Sequence, residues 1–320
     1  MNRTFFIFIV LIFIFIIFHS FYYFKEVFSL LRANWKSKVK RIFSSSANWP
    51  LEHAKLAFVS ANIGGYEKTA KEPVRQSIPA DFIVYTDNPK LLTHGVWKIY
   101  DAESYSFGMT AQDRNSSFKN SLSNNRHSFN RAKFFKLNLH RLPELDGYDI
   151  IVWVDGTIQI DNPQAASIIS NLVHEEGRNF IVFEHERNGS IIMEAAASHF
   201  HRYTDTHWNN QNQPYQDIDE QVTFYLQSGY DRNFFGVGSS TSQFGGMWVT
   251  NFVAYDMSNP QTFKFLDEWW LQNLIFTTQD QISFPYSLWK HRILPYTLPS
   301  KNITGNFNQN KLFHQLPHGQ

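Results

Sequence analysis

Tyr148-Asp-Ile-Ile-Val-Trp-Val-Asp-Gly-Thr-Ile-Gln-Ile160 is the stretch that decides the fold. Ile150–Val154 is an unbroken apolar run, rich in β-branched residues and too short for a helix. A strand with one wet face alternates apolar and polar residues. A continuous run is covered on both faces, as in the middle of a mostly parallel sheet flanked by helices. The run stops at Asp155-Gly156, a pair common in strand-ending turns. A carboxylate straight after a buried strand is also placed to hold a divalent cation, and through it a diphosphate. Gly156 would let phosphates approach the backbone. If the strand persists, Thr157 points its hydroxyl to the side of Asp155.

Other apolar runs extend the pattern outward. Leu56–Ser60 reads as a first buried strand, ending in the loop Ala61–Glu67 with Asn62, Gly64 and Gly65. Asp81–Tyr85 reads as a second, delivering Thr86 and Asp87, and Val96–Tyr100 as a third. Residues 104–130 read as a long mobile loop, followed by a helix over Asn130–Leu142. Asn179–Phe183 is a strand that delivers Glu184–Arg187, Met247–Tyr255 is a late strand, and Pro260 opens a helix running to Phe276. Strands alternating with helices imply an α/β sheet domain. In such sheets ligands bind outside the carboxyl ends of the strands. Four polar groups fall at such ends, at Asn62–Glu67, Thr86-Asp87, Asp155–Thr157 and Glu184–Arg187.

Composition narrows the chemistry. The 320 residues are 43% hydrophobic and 17% aromatic, which suits one large domain or two closely packed lobes. A formal net charge of +1 gives no global field for nucleic acid, so no nucleic-acid partner is expected. The absence of cysteine removes disulfides, thiolate nucleophiles and Cys-based metal sites together. No Gly-x-Ser-x-Gly elbow is present, which argues against a serine-triad lipase.

The N-terminal region has a different character. Phe5–Phe24 reads FFIFIVLIFIFIIFHSFYYF, and about 20 residues at 1.5 Å each cover the roughly 30 Å hydrocarbon core. A cleaved signal peptide is the rival reading, but no small-x-small site follows and the run is long for an h-region. Residues 1–24 are therefore read as a transmembrane anchor. Residues 25–52 are read as a basic amphipathic stalk that contacts membrane lipids, or is simply solvated. The domain takes 53–320. Six Lys or Arg follow the anchor within twenty residues, against Arg3 before it, so the positive-inside rule favours the cytoplasmic side. Formal sequons at Asn115, Asn188 and Asn302 are the counterweight, and would suit a lumenal, Golgi-like enzyme.

NIGGYE (62–67), YTD (85–87), RAKFFK (131–136), YDIIVWVDGTIQI (148–160), EHERNGSIIMEA (184–195) and QDQISFPY (279–286) occur in an order that resembles one family. It is the glycosyltransferase-like domain of unknown function 616, to which plant mucilage-related glycosyltransferases belong. The resemblance spans about residues 56–290. It implies a GT-A-like nucleotide-binding sandwich with a mostly parallel mixed sheet. It also implies a nucleotide-sugar donor, a glycan or lipid-linked acceptor, and Mn²⁺ or Mg²⁺. Asp155 takes the place of the family's carboxylate cluster, usually Asp-x-Asp, with Thr157 in the third position. His314 and His318 are candidates to complete a metal shell with Asp155, as is Asp161.

For the donor, the resemblance points to Asn62, Gly64, Gly65, Asp87, Gly156 and Thr157. Arg131, Lys133 and Lys136 are candidates for the diphosphate, which needs point positive charge or a bidentate guanidinium. Helical spacing puts Lys133, Lys136 and His140 on one face. His185, Arg187 and Glu194 are candidates for acceptor contacts. Asp280 is a candidate general base beside Asp155, with a helix cap as its alternative role. Trp269 and Trp270 are expected in the core, and Trp208 is the candidate for stacking on sugar. Two rivals keep the fold. One is a metal-dependent hydrolase of a ceramide-like lipid, using the His-rich patch 199–207. The other is a non-catalytic protein that binds glycan or membrane.

Overall fold

The structure is a computed structural model, and it describes residues 54–91, 93–105, 128–185, 189–203, 216–236, 246–299 and 312–316. The expected anchor and stalk lie outside the described residues. Among those described, no helix is long and apolar enough to cross a membrane.

The described strands are β1 (Leu56–Asn62), β2 (Asp81–Thr86), β3 (Lys98–Asp101), β4 (Ile150–Val154), β5 (Ile158–Gln159), β6 (Phe180–Glu184), β7 (Trp248–Asp256), β8 (Tyr296–Leu298) and β9 (His314–Gln315). The helices are α1 (Ser128–Leu137), α2 (Ala165–His174), α3 (Ile191–Tyr203), α4 (Ile218–Gln227), α5 (Pro260–Ile275) and α6 (Asp280–Lys290). Seven strands form one sheet in the order β3-β2-β1-β4-β7-β6-β8, and β5 pairs with β9 in a small second sheet. β7 is antiparallel to both β4 and β6, while the other pairings are parallel. So β1, β2, β3, β4, β6 and β8 share one direction, as expected of a mostly parallel mixed sheet.

All five residues of β4 are buried, as a run without alternation requires. Ile151 and Trp153 pack with Phe134, Phe135, Trp269 and Phe284 on the face that α1, α5 and α6 cover. Ile150, Val152 and Val154 pack on the other face with Ala165 and Ile169 of α2 and with Phe313. A third apolar cluster joins α3, α4 and α6 through Ile191, Tyr225 and Ile282.

From β1 the chain moves outward to β2 and β3, and β4 then enters on the other side of β1. That reversal makes the β1/β4 gap a topological switch point, where a crevice opens outside the carboxyl ends. The loop Ile63–Glu67 and the turn Asp155–Thr157 stand on either side of it.

Two boundaries differ from the sequence reading. The third strand starts at Lys98, because His94 (φ 52°) and Gly95 (φ 76°) turn the chain just before it. Residues 106–127 of the expected loop lie outside the described residues. The helix expected through Leu142 ends at Leu137. Asn138 adopts φ −119° and ψ 32°, and a separate 3₁₀ turn follows at Leu139–Arg141. The Asn138 amide donates to the Phe134 carbonyl at 3.1 Å, the local competition by which Asn ends helices.

Candidate active site

The site rises from α1. Phe135 stacks on Tyr85 of β2 with centroids 4.4 Å apart, and Phe134 meets Trp270 of α5 edge-on at 5.8 Å. Burying an aromatic ring of this kind stabilises by roughly 1.5–3 kcal/mol. The two contacts fix the rotation of α1, so Lys133 and Lys136, one turn apart, reach toward the strand ends. Lys136 is 1% exposed. Its Nζ lies 2.5 Å from Asp280 Oδ2, 3.2 Å from Thr250 Oγ1 and 3.4 Å from Asp155 Oδ1. Lys133 pairs with the other oxygen of Asp280, whose Oδ2 also accepts the Thr250 hydroxyl at 2.8 Å.

Burial alone would raise the Asp280 pKa, but Lys133 and Lys136 together hold it well below the usual carboxylate range. Burial likewise opposes the charge on Lys136, yet Asp155 and Asp280 carry its pKa above the ordinary lysine value. At Lys133 burial prevails and the pKa is lowered, Asp280 pulling against it and Lys136 with it. Asp280 is thus an anion shared between two ammonium groups. Both of its oxygens are already held, by Lys133, Lys136 and Thr250, an arrangement that suits a counter-ion more than the base read from the sequence. Nor does its side chain cap a helix: it is the first residue of α6, after Gln279.

Asp280 is held in place from behind. The Trp269 indole donates to its carbonyl at 3.0 Å, and Thr278 N–H donates to Gln216 Oε1 at 2.7 Å. Thr277 and Gln221 of α4 bond at 2.5 Å. Trp269 and Trp270 are core residues, as expected.

Asp155 accepts the Trp153 indole N–H on Oδ1 at 2.6 Å, the two side chains sharing one side of the strand at i and i+2. Its side chain keeps 38% exposure. Thr157 does not join it. The strand ends at Val154 and turns, with Ile158 N–H donating to the Asp155 carbonyl at 2.9 Å, and Thr157 is buried. Gly156 packs tightly, since a Cβ there would stand 3.1 Å from Glu67 Cγ. Glu67 and Lys71, both buried, pair at 3.5 Å beneath it.

The loop after β1 is closed on itself. Asn62 Nδ2 donates to the Glu67 carbonyl at 2.6 Å and its Oδ1 accepts Glu67 N–H at 3.1 Å. Gly64 (φ 73°) gives its N–H to both oxygens of Asp87 at 3.0 Å, and Gly65 (φ 69°) completes the turn. Arg131 spans Asp87 at 3.3 Å and Glu103 at 2.6 Å. Asn62 and Gly64 therefore shape the loop after β1 with their polar groups.

At the end of β6, His185 Nε2 lies 3.5 Å from Glu194 Oε2. Gln281, next to Asp280, donates to Glu194 Oε1 at 2.9 Å. Two further candidates can be placed. His140 turns away from the two lysines to Asp267 at 2.7 Å, because the helix stops before it. His314 pairs with Asp161 at 4.0 Å on β9, across from β5. Arg187, Trp208, His318 and most of the patch 199–207 lie outside the described residues.

Mg²⁺ and Mn²⁺ want several oxygen ligands but can take only one or two from protein, the rest coming from water and phosphate. Among the described residues no three His, Cys, Asp or Glu side chains gather to hold a metal. Asp155 Oδ1 is engaged by Trp153 and Lys136, which leaves Oδ2 as the donor atom. Among the described residues this set offers one carboxylate oxygen, which fits a cation carried in with a diphosphate.

Thr250, Gln216, Gln221, Thr277 and Lys71 were not found from the sequence. Thr250 enters because β7 runs backwards, so the start of that strand meets the ends of the others. Trp153 carried a readable signal in its i, i+2 spacing to Asp155.

No curated protein matches the chain. Among solved structures it is similar to the apo structure of the bifunctional glycosyltransferase WbbM, with a TM-score of 0.44 and 11% identity over 83% of this chain. The chain spans 43% of that protein's length. Residues 114–318, well over half of the sequence and containing α1, β4 and the Lys133–Lys136–Asp155–Asp280 group, match the family described as TOD1/MUCI70, glycosyltransferase-like domain, and the chain belongs to that family.

Proposed function

We propose that this chain is a membrane-anchored glycosyltransferase of GT-A type, which moves a sugar from a nucleotide-sugar donor to a glycan or lipid-linked acceptor. The observation that carries the reading is the group at the β1/β4 switch point. There Asp155 faces the loop Ile63–Glu67, with Arg131, Lys133 and Lys136 behind. Transfer leaves negative charge on the departing diphosphate, and cations already in place stabilise it without reorganisation. Lys133, at 20% exposure, is the more open of the two lysines, and Asp280 holds both in position. Arg131 carries a guanidinium beside Asp87, at the donor-side loop. When bound, Mn²⁺ or Mg²⁺ at Asp155 would supply further positive charge to the diphosphate. The cytoplasmic side, favoured by the basic flank of the anchor, would let a cytosolic donor meet a membrane-bound acceptor.

The test uses the full chain in detergent micelles. Nucleotide sugars are titrated by calorimetry with and without Mn²⁺, and again with Asp155→Ala. Saturable binding of a uridine or guanosine sugar that weakens at least tenfold in the variant is expected. Failure of every donor to bind the wild-type chain would refute the proposal.

A further inference from the structure

We propose that Trp153 is the positioning residue of the site: its indole N–H holds Asp155 in the rotamer that keeps Oδ2 open to the cation and diphosphate of a donor. The inference rests on the transferase reading above and deepens it.

An Asp carboxylate is nearly two-fold symmetric about its last torsion, so its oxygens exchange unless something tells them apart. At Asp155 two groups act on the same oxygen. Lys136 Nζ stands 3.4 Å from Oδ1, and the Trp153 indole donates to it at 2.6 Å. An ammonium draws a carboxylate from any direction, and strongly where water is excluded. The indole bond is directional, so it fixes Oδ1 and with it the plane of the group. Among the described residues Oδ2 has no partner, and the side chain keeps 38% exposure. Asp155 lines a cavity at the β1/β4 crevice together with Asn62, Glu67 and Gly156.

The indole is itself immobile. Trp153 is 3% exposed, in the central strand, with Val59 of β1 beside it on one side and Val253 of β7 on the other. A donor on a packed strand gives up little freedom when it makes its bond, and a bond to a charged acceptor is about twice as strong as a neutral one. Lys136 is held independently. Asp280 Oδ2 lies at 2.5 Å and Thr250 Oγ1 at 3.2 Å, and the Trp153 and Trp269 rings flank the ammonium at 5.8 and 5.9 Å. Its own partners fix the ammonium, and Trp153 sets how far Asp155 can follow it. Without the indole N–H, Lys136 is the remaining side-chain partner of Asp155 among the described residues. The carboxylate then turns both oxygens toward the ammonium, and Oδ2 is lost to the crevice.

The test uses the full chain in micelles and reads binding rather than turnover, with Mn²⁺ and uridine or guanosine diphosphate as probes. Trp153→Phe removes the N–H and keeps an aromatic ring. Its Mn²⁺ affinity in the presence of nucleoside diphosphate, read from the free-ion signal in electron paramagnetic resonance, should fall about 10–100-fold, the usual cost of losing a group that orients a metal ligand. Its Tm should fall by no more than about 6 °C, because the carboxylate exchanges one partner for another. Trp248→Phe is the control, since it removes an indole bond to Thr297 at 2.9 Å elsewhere in the same sheet and should leave Mn²⁺ affinity unchanged. A Trp153→Phe affinity within about threefold of wild type overturns the proposal, as does an equal loss in Trp248→Phe, which would mark a general packing defect. A second measurement does not depend on Trp153→Phe folding: the indole N–H resonances of the nine tryptophans. Asp155→Ala should move one of them upfield as its acceptor is lost. In wild type, Mn²⁺ with nucleoside diphosphate should broaden that same resonance before any other. The absence of a resonance that responds to both overturns the proposal. A wild-type chain that binds neither nucleoside diphosphate nor any nucleotide sugar fails at the transferase reading and takes this proposal with it. A chain that binds them with an affinity indifferent to Mn²⁺, or that keeps Mn²⁺ without the indole, fails only here.

Discussion

Replacing Asp280 with Asn removes one negative charge and almost no volume, which isolates the electrostatics of the buried cluster. The wild-type carboxylate meets Lys133, Lys136 at 2.5 Å and the Thr250 hydroxyl at 2.8 Å. After substitution Lys136, at 1% exposure, keeps only Asp155 at 3.4 Å as an anion. Removing one member of a buried ion pair costs about 3–5 kcal/mol, because the remaining charge has lost both water and partner. For a domain of this size each kcal/mol is about 2–4 °C in Tm, so a fall of roughly 6–20 °C is expected. The assay is thermal unfolding of the full chain in micelles, followed by near-ultraviolet circular dichroism. The pH dependence gives a second handle. In wild type the Lys136 pKa is raised, so its stabilisation is present below the unfolded lysine value near pH 10.4 and fades above it. In the variant Asp155 is the one anion left to raise that pKa, so less of the stability depends on the lysine's charge. The gap between the two should narrow as pH rises above that unfolded lysine value. Lys136→Met added to Asp280→Asn should recover a coupling energy of about 1–3 kcal/mol. A single variant within 2 °C of wild type, or a double variant no better than the worse single, would refute the account.

Gly156→Ala would place a Cβ 3.1 Å from Glu67 Cγ, and Glu67 is clamped by Lys71 and by backbone bonds to Asn62. A loss of about 1–3 kcal/mol from overpacking is expected in the same melts, with weaker donor binding; unchanged values for both would count against the tight β1/β4 crevice. Glu268, on α5, meets Lys290 at 3.0 Å and Gln272 at 2.6 Å. Burial raises its pKa, but His291 at 3.9 Å and bonds from Lys290 and Gln272 bring it down to about 2. This depressed pKa gives stability that is present above about 4.5 and lost as pH falls toward 2. Glu268→Gln should therefore lose about 1–2 kcal/mol at neutral pH, with the difference from wild type closing across that window; a constant difference down to pH 2 would contradict it. Protease added to sealed vesicles should digest the domain only when the cytoplasmic face is outward, and protection there would reverse the proposed orientation.

Much of the architecture was legible in local pattern. Ile150–Val154 has no polar residue, so its position in the middle of the sheet follows from its composition. The polar residues after each apolar run follow from the rule that parallel strands present their ends together. Helix ends were less legible. Asn138 stops α1 through a side-chain bond to Phe134, and that one event sends His140 to Asp267 instead of to the lysines. Spacing arguments presume that the helix continues, and a single competing hydrogen bond is enough to cancel them.

The sequence by itself determined the sheet, the gathering of polar residues at the carboxyl ends, the pairing of Lys133 with Lys136 on one face, and the place of Asp155 straight after the central strand. Tertiary structure decided how these charges are used. β7 runs against its neighbours and brings Thr250 to the rim, and α4 anchors the segment before Asp280 through Gln216 and Gln221. Asp280 consequently meets two buried ammonium groups, and His185 meets Glu194. The physical reason is that a side chain's chemistry depends on burial and on charges contributed by distant segments. A carboxylate reads the same in any sequence, and only its neighbours in space make it a base or a counter-ion.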